Sequence, residues 1–159
     1  MRTLSYGFRG VAVVALALGL CTAAWGQEEQ EAQVEKKDVP PAVLAAFAKA
    51  FPKATVKGYA KEIEEGQTKY EVECVEGKTH RDVTFTPEGK LLLVEESMDM
   101  KDVPEVVRQA LAKKYPNAKI ELAEKLMDGK TVAYEFHWTT ADGKEAEAKF
   151  DAQGKEEKP

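Results

Sequence analysis

Residues 39–56 read VPPAVLAAFAKAFPKATV and residues 103–120 read VPEVVRQALAKKYPNAKI, one stretch repeated at an offset of 64. Eight of the 18 aligned positions are identical: Val39/Val103, Pro40/Pro104, Val43/Val107, Ala46/Ala110, Ala48/Ala112, Lys49/Lys113, Pro52/Pro116 and Ala54/Ala118. Phe47/Leu111, Phe51/Tyr115 and Val56/Ile120 exchange one apolar residue for another. Such agreement marks an internal duplication, so the chain must fold as two copies of one small unit.

Each unit opens with a helix. Val43, Phe47 and Phe51 recur every four residues, as do Val107, Leu111 and Tyr115, giving each helix one apolar stripe. Asp38 and Asp102 are suited to cap the helix starts, and the prolines behind them are tolerated in a first turn. Asp102 and Glu105 also fit a capping box. Pro52 and Pro116 stop the helices at matching points.

Strands follow over 56–63 and 120–127, then over 69–75 and 132–139, separated by Gly-containing turns. Period-two alternation in the second pair puts Tyr70, Val72 and Cys74 on one face, matched by Tyr134, Phe136 and Trp138. A third strand carries Val83 and Phe85, matched by Ala148 and Phe150 at an offset of 65. Residues 86–90 and 151–155 then form equivalent hairpin turns. The first unit continues into a strand over 91–96, whereas residues 156–159 leave little room for its counterpart. The predicted fold is α+β: two tandem α-β-β-β(-β) units, each a helix on one face of an antiparallel sheet. Units of about 60 residues are marginal alone, so the two sheets are expected to pair into one continuous sheet or to pack together.

The N-terminus has a different character. Arg2 and Arg9 precede an uncharged stretch with an apolar core over 11–20, and Ala24 and Gly26 offer small residues at a cut before Gln27. This is the pattern of a secretory signal peptide over 1–26, placing the mature chain in the periplasm or outside the cell. The apolar run only just reaches spanning length, so no stable membrane insertion is expected after cleavage. Leu20 stands where a lipobox needs a small residue, which argues against lipid attachment at Cys21. Residues 27–37 are polar and read as a flexible linker. The expected organisation is therefore 1–26 signal, 27–37 linker, 38–98 first repeat and 99–159 second repeat. Without Arg2 and Arg9 the chain keeps 21 basic and 28 acidic residues, a net charge near −7, which excludes nucleic acid as a natural partner. Cys74 is then the single cysteine, so no intramolecular disulfide holds the fold.

The helix openings Val39-Pro40 and Val103-Pro104 and the endings at residues 51–54 and 115–118 occur with the strands at 70–73 and 134–136 and the turns at 87–90 and 152–155. In that combination, over 38–155, the chain resembles the PepSY-like, β-lactamase-inhibitor-like family of small exported bacterial proteins. The resemblance implies αβ units in tandem, with a helix on one side of an antiparallel sheet. It further implies an open sheet face able to grip another protein, as in β-lactamase inhibitors. An inhibitory role does not follow from fold likeness.

If Tyr70, Val72 and Cys74 face the helix, then Glu71 and Glu73 face away, and by the same alternation so do His80, Asp82 and Thr84. In the second unit Glu135, His137, Glu145 and Glu147 point outward. These nine residues form the expected partner-binding surface for a periplasmic protein or peptide. Glu71, Glu73, His80 and Asp82 on neighbouring strands could also bind a divalent cation. However, His80 aligns with Lys144 and His137 with Glu73, so the duplication preserves no ligand set. No metal and no cofactor are therefore expected, and a cation sensor or scavenger remains the alternative. No Ser-His-Asp set, HExxH, CxxC or Gly-rich phosphate loop occurs. Cys74 near His80 suggests a nucleophile and base, but alternation sends the cysteine into the core. No enzymatic activity is expected.

Overall fold

The computed structural model describes residues 30–64 and 66–157. The expected signal peptide, with Cys21, lies outside them.

The helices form where the stripes predict, α1 at Pro41–Ala50 and α2 at Glu105–Lys114. Their starts differ from expectation. Val39 and Val103 each precede a proline and are held extended, with ψ of 132° and 135°. This pushes the N-cap to Pro40 and Pro104, where no side chain caps the helix. Asp38 and Asp102 instead close short 3₁₀ turns at Lys36–Asp38 and Met100–Asp102. The expected capping box is not made; Glu105 accepts a hydrogen bond from Gln109 Nε2 at 2.9 Å. Phe51 and Tyr115 end the helices just before Pro52 and Pro116, as expected.

The strands are β1 (Gln30–Gln33), β2 (Thr55–Glu64), β3 (Gln67–Glu76), β4 (Thr79–Phe85), β5 (Leu91–Ser97), β6 (Leu122–Asp128), β7 (Thr131–Thr139), β8 (Glu145–Asp151) and β9 (Glu156–Glu157). They form one antiparallel sheet in chain order, β1 to β9, so the two units share a continuous sheet. The fourth strand of the second unit exists, reduced to two residues.

The expected linker needs correction, because residues 30–33 are a strand. Gln30 pairs with Ile63 and Gln33 with Ala60. At the other end of the first unit, Val94 pairs with Met127 and Ser97 with Glu124. All four positions are displaced by 64, the offset of the helices. Strand β1 is thus the first-unit counterpart of β5, and β5 serves both as the last strand of one unit and as the lead strand of the next.

Alternation sorts the side chains as expected. Val39, Val43 and Phe47 pack on Val72, Cys74, Val83, Phe85 and Val94. Val103, Val107 and Leu111 pack on Ala123, Tyr134, Phe136, Trp138, Ala148 and Phe150. On β6, Ala123 joins the second core and Met127 packs on the first. Residues four apart on a strand share a face, so both helices cover the same side of the sheet.

Two turns lock helix to sheet. Gly89, at φ +82°, lies so close to α1 that a Cβ there would meet the Ala42 carbonyl oxygen at 2.5 Å. Gly154, at φ +78°, makes the equivalent approach to α2, its Cβ position 2.9 Å from the Val106 oxygen. Gly77 has φ +65° but nothing within 4 Å of a Cβ. Gly77→Ala should therefore cost only the left-handed penalty of about 1–2 kcal/mol. Gly89→Ala should cost a further ~1–3 kcal/mol because helix and hairpin must separate. Urea midpoints at constant m-value measure both, and equal costs would refute the close-approach argument.

Candidate binding face

The side of the sheet opposite the helices carries the acids. Cross-strand pairing sets Glu73 against Asp82 and Asp82 against Glu95, three carboxyls side by side over β3, β4 and β5. One row away, Glu71 lies between Ala60 and Thr84. Across the seam Glu124 of β6 opposes Glu135 of β7. Neighbouring strands lie about 4.8 Å apart, and like charges directly opposed destabilise a sheet.

Proton uptake relieves part of the repulsion. Burial pushes the Glu71 carboxyl up to about 9, helped by the charges of Asp82, Glu62, Glu95 and Glu31. Glu95 is raised to about 8 by burial, then by Glu124, Glu135, Asp82 and Glu62. Asp82 is raised to about 7 by burial, then by Glu73, Glu124, Glu31 and Glu62. The groups named as sources run from β1 to β7, so the acids of both units act on one another as a single electrostatic system.

All nine residues expected on this face are on it, but their surroundings differ. Glu71, Glu73 and Asp82 lie together, and Glu145 is exposed at the start of β8. Thr84 and His137 are buried rather than solvated, at 6% and 5% exposure. The His137 ring sits among carboxylates: Nε2 is 3.1 Å from Glu135 and 3.4 Å from Glu124, and Nδ1 is 3.9 Å from Glu147. The backbone N–H of His80 donates to Ser97 Oγ at 3.0 Å. Among the described residues the metal-binding atoms that converge are those of Glu124, Glu135 and His137, not of Glu71, Glu73, His80 and Asp82.

Sequence reasoning missed Glu31, Glu62, Glu95 and Glu124. Glu31 falls in the polar stretch that reads as a linker. Glu95 follows the apolar run Leu91–Val94, which shows no alternation. Glu124 shares its face with Leu122 and Leu126, and these blur the polar pattern of β6. Leu126 and Ala133 are buried on the side away from the helices, so flanking side chains must cover them. For Glu31 one signal was available: Glu31, Lys37 and Asp38 align with Glu95, Lys101 and Asp102 at the helix offset.

Cys74 is fully buried in the helix-side core, while His80 is on the other face, so the pair cannot serve as nucleophile and base. Burial pushes the Cys74 thiol up to about 11 against the opposing influence of Arg81.

A profile of the family described as "Putative beta-lactamase-inhibitor-like, PepSY-like" matches residues 21–93 and again 68–156. Among solved structures, the fold is similar to that of a "putative periplasmic" protein from Bacteroides eggerthii, with TM-score 0.66, 15% identity, and 76% of this chain and 86% of that one covered. A DUF2874 family protein from Bacteroides ovatus follows at TM-score 0.63 and 18% identity, with the same coverage. A BLIP-like protein from Bacteroides fragilis has TM-score 0.59 and 20% identity, over 75% of this chain and 84% of that one. At these identities the likeness shows the fold alone. No curated protein sequence matches. Among the described residues no helix is long and apolar enough to cross a membrane.

Two predictions follow from the ionisation of this face and of Cys74. The raised carboxyls hold protons in the folded state that the unfolded chain releases at ordinary acidic pH. Their stabilising effect is complete below about pH 4 and is lost as pH rises through 7, 8 and 9. Thermal midpoints should therefore fall from pH 5 to pH 9. Glu71→Gln should remove up to about 1.4 kcal/mol per pH unit of that slope, and an unchanged slope would contradict the assignment. Cys74 should react with DTNB at least about a hundredfold more slowly in the native protein than in denaturant; rapid native labelling would contradict its placement.

Proposed function

From the premise that this chain belongs to the PepSY-like family, we propose that it is an exported, non-catalytic binding module that grips a basic protein or peptide of the cell envelope through its open sheet face. The observation that supports the reading most is the direct opposition of Glu73, Asp82 and Glu95, with a second opposed pair, Glu124 and Glu135, one row along on the far side of the seam. Such a stripe weakens the isolated sheet. Lysine and arginine side chains laid along it would remove the repulsion and gain charge-assisted hydrogen bonds. Glu71, His80, Thr84, His137, Glu145 and Glu147 border the stripe and belong to the same proposed surface. The helices close the other side, so docking and folding use separate faces. Export is supported by the N-terminal pattern and by the periplasmic description of the similar protein from Bacteroides eggerthii.

A photo-crosslinking residue at Val75, on the open face, tests the side used; one at the exposed Ala45 of α1 is the control. The expected product in envelope extracts is a protein with a basic patch, captured from position 75 and not from position 45. Affinity for that purified partner should fall with salt. It should also drop at least about tenfold when Glu73→Gln, Asp82→Asn and Glu135→Gln are combined, since each removes a charge-assisted bond. Capture from the helix side alone, or affinity indifferent to the three substitutions, would overturn the surface. The alternative of cation binding on this face draws on the surroundings of His137.

A further inference from the structure

We propose that Glu124, Glu135 and His137 form a binding site for one borderline divalent cation, zinc above all, with Glu147 orienting the imidazole.

The two carboxylates face each other across β6 and β7, and both approach the same ring nitrogen, at 3.1 and 3.4 Å. A proton on Nε2 can meet both oxygens only as a shared, bifurcated donor, each bond weaker than a direct one. A metal ion serves it fully. With zinc–nitrogen and zinc–oxygen bonds near 2.1 Å, two ligand atoms of a tetrahedral site lie about 3.4 Å apart. The two nitrogen–oxygen separations are already of that size, and the ligand atoms of all three residues lie within 4.8 Å of one another.

Burial and support add to the case. The His137 side chain is 6% exposed, and those of Glu124 and Glu135 are 14% and 19%. These are not surface acids swinging freely in water. The ligands stand on adjacent paired strands, a rigid base for a coordination site. The other ring nitrogen faces Glu147, the direct cross-strand partner of His137, at 3.9 Å. A small rotamer change would bring that carboxylate into hydrogen bonding with Nδ1–H. It would then fix the tautomer that leaves Nε2 free for metal, as carboxylates do behind metal-bound histidines. The nitrogen donor favours zinc and its transition-metal neighbours over calcium and magnesium, which prefer all-oxygen sites. A fourth position remains for water or an added donor.

The duplication does not supply this site twice. At the helix offset, Glu124 corresponds to Ala60, Glu135 to Glu71 and His137 to Glu73. At these corresponding positions only the second unit carries a nitrogen donor, so one ion per chain is expected. Glu124 and Glu135 also belong to the surface for a basic partner, but zinc binding is read without any partner, so either reading can fail while the other stands.

The test titrates the chelator-stripped full chain with zinc sulfate, and separately with calcium chloride, by isothermal titration calorimetry. One equivalent of zinc should bind, at least about a hundredfold more tightly than calcium. Glu124→Gln and Glu135→Gln, which keep the side-chain shape, should each weaken zinc at least about tenfold. His80→Gln should leave it unchanged. In the unaltered protein, zinc should shift the ring nitrogen resonances of His137 and not of His80, which decides the matter even if a variant misfolds. Absence of saturable zinc binding, equal loss in His80→Gln, or resonance changes confined to His80 would overturn the site.

Discussion

The pairing of β5 with β6 is the interaction on which the rest of the molecule depends. A unit of this size buries too little apolar surface to be secure alone. Here the last strand of the first unit becomes the leading strand of the second, and Met127 reaches across to pack on the first core. The register repeats that of β1 on β2, so the seam is the unit's own internal contact used a second time. Both helices consequently fall on one side, and among the described residues the opposite face runs across all nine strands.

That arrangement divides the work between two faces. The helix side follows ordinary rules of burial: Val, Phe, Tyr and Trp alternate inward, and glycine is used where hairpin and helix approach too closely for a side chain. The open side does not follow them. Acids oppose acids at Glu73, Asp82 and Glu95, and again at Glu124 and Glu135. A sheet selected for stability alone would place lysine or threonine at some of these positions. Local conflict of this kind within an otherwise consistent fold is expected where a surface serves binding.

The helix side was legible in the sequence because its period is simple. The stripe of Val43, Phe47 and Phe51 and the alternation through Tyr134, Phe136 and Trp138 each have one physical cause, and both are found as expected. The misreadings arose where two causes compete. Asp38 and Asp102 look like caps, but the prolines that follow hold the intervening valines extended and move the helix start past them. Residues 30–33 are polar enough to pass for a linker. Their place is set by backbone hydrogen bonding at a sheet edge, which composition does not reveal. His137 alternates outward correctly, yet Glu124, from a strand whose apolar residues lie on both faces, comes to rest against it. Alternation assigns a side chain to a face; which neighbours meet there depends on register between strands.

The protons held by Glu71, Asp82 and Glu95 have a consequence for how this face meets any cation. A positive group favours the ionised carboxyl, so docking must expel protons into solution. Rising pH makes that expulsion easier and association tighter, while the same deprotonation restores repulsion within the sheet and loosens the fold. Occupancy and stability are thus linked with opposite signs to one variable, and an occupied face would keep the chain folded in alkaline conditions that unsettle it when bare.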